Sequence, residues 1–241
     1  MNGWWFPDPI SRHAAGFDIQ FNRTLVAAAL IFVSAQCALL LIAWRFRARG
    51  GEAGPKPKPS GSRIELLWTS ATALLFLGLL FMGGRVWAGV QFTPAPPNSE
   101  SIEVLAKQFA WNFRYPGPDG RFGRTDIHLI DDAANNPFGL DDRDSASKDD
   151  IVSATLRVPV GRPVKLTLIS RDVIHSFFVR ELRLKQDLVP GMRIPLHFQA
   201  DKTGTYEVPC SELCGLGHYQ MRTTVIVMPD AEYQLWKKGQ K

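Results

Sequence analysis

Four side chains with donor atoms for soft or borderline metals fall within the run CSELCGLGHYQM: Cys210, Cys214, His218 and Met221. A fifth donor, His175, lies upstream in DVIHSFFV, at the start of an expected strand. Thiolate, imidazole and thioether together select copper over harder ions. Thiolates stabilise the reduced ion and spread its charge. Donors held rigidly in both oxidation states also limit the rearrangement that accompanies electron transfer. The chemistry suggested by residue type and spacing is therefore one-electron redox at copper.

Other uses of these residues compete. Cys210 and Cys214 suit a disulfide in an oxidising compartment, but a disulfide leaves His175, His218 and Met221 unexplained. Two Cys and two His suit structural zinc, although C-x3-C-x3-H is not the usual finger spacing and Met is a poor zinc ligand. A mononuclear blue-copper site needs one Cys, so two thiolates fit a bridged pair of coppers better. Covalent haem needs C-x-x-C-H, and the spacing from Cys214 to His218 is C-x3-H. Redox copper is favoured; zinc and a disulfide stay open on the residues alone. His13, His128 and His197 receive no role, and Cys37, inside an apolar run, reads as an inert packed thiol.

These donors need a rigid frame. From Ser101 onward the chain breaks into short alternating or β-branched runs: 101–107, 151–158, 163–169, 176–180, 194–198, 204–208 and 223–228. Turn residues separate them, at 116–120, 189–191 and 201–204. Such spacing predicts an all-β sandwich or barrel, with the ligand loop between two strands and a possible short helix in the tail, 230–241.

The first hundred residues have another design. Residues 24–44 carry no charge, and residues 66–86 are charge-free until Arg85. A bilayer core needs about 20 helical residues to cross, and soluble helices are rarely apolar on every side for that length. Two spans are expected, 24–46 and 64–88, behind an outer segment 1–23. The start of the chain lacks a basic region ahead of the first run, which argues against a signal peptide. Six of the nine Lys and Arg in the first hundred residues lie between Arg45 and Arg63. The positive-inside rule puts that loop, 47–63, in the cytoplasm and the domain that follows outside. A Pro-rich linker, 89–100, joins span to domain.

The net charge of +5 thus reflects a juxtamembrane loop, because the part from Ser101 onward is nearly neutral. Nucleic-acid binding is excluded on that distribution.

With these residues in view, the chain resembles subunit II of cytochrome c oxidase. CSELCGLGHYQM is similar to that family's copper A loop, DVIHSFFVRELRLKQDLVPG to its upstream ligand strand, and RIELLWTSA to the start of its second span. The resemblance implies a two-helix transmembrane hairpin carrying a cupredoxin-like β-sandwich, residues 101–229, in a bacterial-type inner membrane. It implies two coppers bridged by Cys210 and Cys214. His175 and His218 would each ligate one copper, and Met221 and the Glu212 carbonyl would make weak axial contacts. The Glu212 side chain matches a ligand to magnesium shared with subunit I, and a hard carboxylate suits that ion. Glu65 matches a carboxylate near the mouth of a proton channel. The implied partners are haem-bearing subunit I, other oxidase subunits, membrane lipid and cytochrome c. In this reading the chain accepts electrons for the oxidase and does not reduce oxygen alone. The competing readings are a copper-free quinol oxidase subunit and another copper A protein.

The sequence departs from the family pattern twice. Phe109 stands where a Trp usually receives electrons, while Trp111 matches the second Trp of that motif; both are candidate electron-accepting residues. Arg180 replaces a usual Pro. Finally, the segment 141–150, DDRDSASKDD, suits either steering of a basic cytochrome c or a solvated loop.

Overall fold

The computed structural model describes residues 6–47 and 61–240. Arg49, Lys56, Lys58 and most of the loop between the spans lie outside the described residues.

Two long helices come first, α1 (Ala14–Arg45) and α2 (Ser62–Gln91). Both are long and apolar enough to cross a membrane. They extend beyond the charge-free runs because polar residues such as Asp18, Gln20 and Arg23 continue the helix outside the apolar stretch. Their large apolar side chains are exposed, Leu40 at 69% and Leu67 at 72%, so lipid must cover them. The Gln20 side chain donates to the Leu79 carbonyl at 3.3 Å, and a Cβ at Gly16 would lie 3.6 Å from Val86, contacts that pair the helices antiparallel.

The remaining unit is a β-sandwich. Its strands are β1 (Glu100–Lys107), β2 (Ala110–Tyr115), β3 (Ile151–Ser153), β4 (Leu156–Pro159), β5 (Pro163–Ser170), β6 (His175–Val179), β7 (Leu184–Leu188), β8 (Ile194–Gln199), β9 (Gly204–Pro209) and β10 (Arg222–Met228). One sheet runs β3-β2-β1-β5-β8, with β1 and β5 parallel. The other contains β4-β10-β9, and the β6-β7 ribbon joins its β9 edge through a bridge between Phe177 and Cys210. A short helix α3 (Ser145–Lys148) and a terminal helix α4 (Asp230–Lys238) complete the unit.

Strand alternation explains the core. Ile102, Val104 and Ala106 of β1 share a face with Phe113, Tyr115, Leu166, Leu168, Leu196 and Phe198. Leu156, Val158, Phe177, Val208, Val225 and Val227 are buried in the same core cluster. The single run expected over 151–158 splits in two, because β3 pairs with β2 in one sheet and β4 with β10 in the other. Two strands were not expected. In β2 the alternation is hidden by Arg114, which is buried, and the interior of β7 is polar.

Arg114 is the centre of a charged layer on the outer face of the first sheet. It donates to Glu103 opposite it on β1 at 3.0 Å, to Asp150 at 2.8 Å and to the Gly123 carbonyl at 2.6 Å. Arg193 pairs with the other Glu103 oxygen. This layer fastens the long insertion between β2 and β3 to the sheet. The segment ahead of α1 is also fastened to the sandwich: Ile10 is buried, and its amide donates to the Glu181 carbonyl at 2.9 Å while its carbonyl accepts from the Asp201 amide at 2.7 Å.

Removing one partner of a buried ion pair leaves an uncompensated charge, which costs about 3–5 kcal/mol. Arg114→Met should therefore lower stability in a urea titration of the full chain in detergent by about that amount. A loss below ~1 kcal/mol would show that the layer contributes little.

Candidate metal centre

The five donors sit at one end of the sandwich, on three elements. His175 opens β6. Cys210 follows β9, and Met221 precedes β10, so the ligand loop is the β9–β10 connection. The Cys210 amide donates to the Met221 carbonyl at 2.9 Å, which adds one rung to the hairpin and closes the loop. The Ser211 amide donates to the Ser176 carbonyl at 3.0 Å and draws β6 against the loop. A 3-10 turn, His218–Gln220, then returns the chain, with the Met221 amide donating to His218 at 3.1 Å.

The donor atoms converge. Cys210 Sγ lies 3.9 Å from Cys214 Sγ and 3.9 Å from His175 Nδ1. Cys214 Sγ lies 3.6 Å from His218 Nδ1 and 3.8 Å from Met221 Sδ. The Glu212 carbonyl is 3.2 Å from Cys210 Sγ. Among the described residues, the one group of three or more His, Cys, Asp or Glu arranged to hold a metal is His175, Cys210 and Cys214, with all their ligand atoms within 4.8 Å and all three residues buried. The sulfurs are nearly twice a disulfide bond apart, so the cysteines are free thiols. Two soft sulfurs, two imidazoles and a thioether fit copper in number and kind.

Electrostatics follow from this crowding. Burial opposes ionisation of Cys210, yet hydrogen bonds with His175 and the backbone at Glu212 and Ser176 bring its pKa down to about 6. Burial and the neighbouring Cys210 charge push Cys214 up to about 11. Burial works against charge on His175, but Cys210 and Asp172 beside it outweigh that and raise its pKa.

Residues beyond the ligands shape the site. Asp172 Oδ1 lies 2.8 Å from His175 Nε2, and Asp172 Oδ2 accepts from the Gln108 amide at 2.7 Å. The Gln108 side chain donates to the Cys214 carbonyl at 2.5 Å. Phe109 lies against the ligand loop: a Cβ at Gly217 would stand 2.4 Å from its ring. Sequence reasoning missed Asp172, Gln108 and Gly217. The available signal was a carboxylate three residues before the ligand histidine.

The other expected site residues are spread out. The Glu212 side chain is exposed; only its carbonyl joins the donors. Glu65 is exposed in the first turn of α2, where a carboxylate favours the helix dipole. Phe109 is 40% exposed. Trp111 is buried behind the site, edge-on to His175 and Phe177 with ring centres 6.4 and 6.0 Å away. Of the two aromatics, Phe109 is the accessible one.

Three of the five aspartates in the acidic segment are engaged within the domain, while Asp142 is exposed. Asp141 is buried against Arg143 and Arg124, Asp144 caps α3 and accepts from the Arg124 amide, and Asp150 belongs to the Arg114 layer. Asp132, elsewhere in the insertion, pairs with Lys107 and Arg171, the residues just before Gln108 and Asp172. The exposed groups around the ligand loop are largely apolar, with Leu213, Leu216 and Tyr219 beside Phe109.

A membrane hairpin and a cupredoxin-like sandwich with this Cys–His–Met cluster define a membrane-tethered domain with a candidate metal centre. Comparisons agree in both parts. The family of cytochrome c oxidase subunit II periplasmic domains matches residues 101–228, and that of its transmembrane domains matches residues 1–82. The alternative cytochrome c oxidase subunit 2 of Bradyrhizobium diazoefficiens is 35% identical over 99% of this chain and 84% of its own length. Cytochrome c oxidase subunit 2 of Thermostichus vulcanus is 34% identical over 96% of this chain and 77% of its own. The crystal structure of the periplasmic domain of subunit II of cytochrome oxidase from Bradyrhizobium japonicum matches 61% of this chain and 96% of that chain, at 26% identity and a TM-score of 0.45. The chain belongs to the cytochrome c oxidase subunit II family. It is a membrane-embedded subunit of a haem–copper oxidase, an oxidoreductase complex.

Two substitutions probe the site's frame. Gly217→Ala should displace the Phe109 ring and cost about 1–3 kcal/mol, as overpacking does. Phe109→Ala should recover most of that loss in the double variant, measured by denaturation without metal; additive losses would contradict the contact. Separately, hydrogen bonds from Arg171 and Lys107 hold the Asp132 carboxyl at about 2, below its ordinary 3.8. A depressed carboxyl stabilises the fold above its unfolded value and loses that contribution as pH falls through its folded value. The melting-temperature gap between the parent and Asp132→Asn should thus be full above about pH 4 and close toward pH 2. A gap constant across that window would exclude the ion pair.

Proposed function

We propose that the chain accepts electrons from cytochrome c on the outer side of the membrane and passes them to haem in subunit I, through a binuclear copper A centre. The observation that carries this is the convergence of two thiols, two imidazoles and a thioether on one point, all buried except the half-buried His218. Cys210, Cys214, His175, His218, Met221 and the Glu212 carbonyl would hold the coppers, the two thiolates and two imidazoles as the main donors and the thioether and carbonyl as the weaker ones. A copper pair in such a site supplies one-electron transfer with little structural change. The protein's part is to hold the donors in place and keep water away. A copper-free quinol oxidase subunit has no use for this set.

The Glu212 carboxylate is free to reach magnesium at the subunit I interface, since it makes no demand on the copper donors. Glu65 shuttles protons at the cytoplasmic edge of α2. The bases at Arg45, Arg47 and Arg63 support an inner position for the loop between the spans and an outer one for the sandwich. Oxygen reduction and most proton pumping belong to subunit I.

Docking is apolar in this reading. Phe109, Leu213, Leu216 and Tyr219 surround the ligand loop, and Asp132 and Asp141 are engaged in ion pairs within the domain. Reduction by cytochrome c should therefore depend weakly on salt, and Phe109→Ala in the assembled oxidase should slow it. A steep fall with ionic strength, with Phe109→Ala unaffected, would return the steering role to surface charge. For the metal itself, analysis of the copper-loaded chain should give two coppers, and Cys214→Ser should leave at most one. One copper in the parent, or preferential retention of zinc, would sink the assignment.

A further inference from the structure

We propose that Asp172 and Gln108 form a clamp that sets the position of His175 relative to Cys214, making Asp172 a positioning residue for the copper centre. The proposal rests on the metal reading above and extends it beyond the ligands.

The geometry is specific. Asp172 is an exposed residue whose side chain is 29% exposed, and each of its carboxylate oxygens has its own task. Oδ1 meets His175 Nε2 at 2.8 Å and accepts from the Val173 amide at 2.7 Å. Oδ2 accepts from the Gln108 amide at 2.7 Å. An ionised carboxylate can only accept, so it keeps the proton on Nε2 and leaves Nδ1, the nitrogen facing the sulfurs, bare for metal. Gln108 then carries the tie onward, because its side chain donates to the Cys214 carbonyl at 2.5 Å. One chain of hydrogen bonds thus runs from the imidazole ligand on β6, through the β1–β2 turn, to the thiol ligand in the β9–β10 loop.

Apart from the sulfur contacts among the donors themselves, the other ties between β6 and the loop lie elsewhere. The Ser211–Ser176 bond and the Phe177–Cys210 bridge join β6 to the loop near Cys210. Neither fixes the rotation of the His175 ring nor reaches Cys214. The same clamp seats Phe109, the residue after Gln108, on the loop glycines. Position of the docking aromatic and orientation of a metal ligand are therefore set by one carboxylate.

Partners of metal-bound histidines typically change metal affinity 10–100-fold when lost. Asp172→Ala should weaken copper binding by the full chain, in detergent and in competition with a chelator, by a factor in that range. It should also alter the electron paramagnetic resonance spectrum of the bound copper, which a merely structural residue would leave unchanged. Asp172→Asn keeps the volume and carries the test should Asp172→Ala not fold. An amide cannot accept on both sides, so it too should weaken binding and shift the spectrum. Asp230→Asn, which removes an exposed carboxylate paired with Arg162 at the start of α4, should leave both readings at parent values. Parent affinity and spectrum in both Asp172 variants would overturn the clamp. Should the parent bind zinc or a single copper, the copper-pair reading fails, and the same affinity comparison with that metal still decides for or against the clamp.

Discussion

Two buried thiols held 3.9 Å apart are the constraint around which the outer domain is organised. Two thiolates at that separation repel strongly in a low-dielectric interior. Against burial, hydrogen bonds from His175 and the backbone pull Cys210 below the ordinary thiol value, while burial and then the neighbouring Cys210 charge push Cys214 above it. A cation between them removes the conflict, so the arrangement makes sense as a metal centre. Keeping such a pair together before metal arrives requires a stiff frame. The sandwich supplies it by placing Cys210 and Met221 at the last rung of a hairpin and drawing His175 in from the neighbouring ribbon.

The same need for stiffness accounts for where the charges went. The insertion between β2 and β3 is rich in aspartate, and several of its carboxylates are used to fasten it. Asp150 enters the Arg114 layer, Asp141 holds Arg143 and Arg124, and Asp132 ties down Lys107 and Arg171 beside the site. What remains exposed around the ligand loop is largely apolar, Glu212 and Gln220 aside. Structural use of charge thus determines the kind of surface left for a partner.

Much of this was legible in the amino-acid pattern. The donor spacing pointed to copper because residue types carry ligand softness with them. The two apolar runs marked membrane helices, and β5 and β10 showed the alternation of half-buried strands. Other features were hidden for physical reasons. Arg114 is buried by pairing, so β2 reads as polar where it is inside. The interior of β7 is polar as well, so it lacks the apolar signature of a strand. The acidic segment looked free because ion pairing over long sequence separation, such as Asp150 with Arg114, leaves no local trace. Asp172 and Gln108 act through partners far away in sequence, which no spacing rule reaches.

The central claim is that Cys210 and Cys214 hold two coppers as one electronic unit. Its most direct test is the electron paramagnetic resonance spectrum of the copper-loaded chain in its oxidised form. Hyperfine structure from one unpaired electron shared equally over two copper nuclei is the predicted result. An ordinary mononuclear spectrum would contradict the account and leave a membrane-anchored domain with a single-metal site.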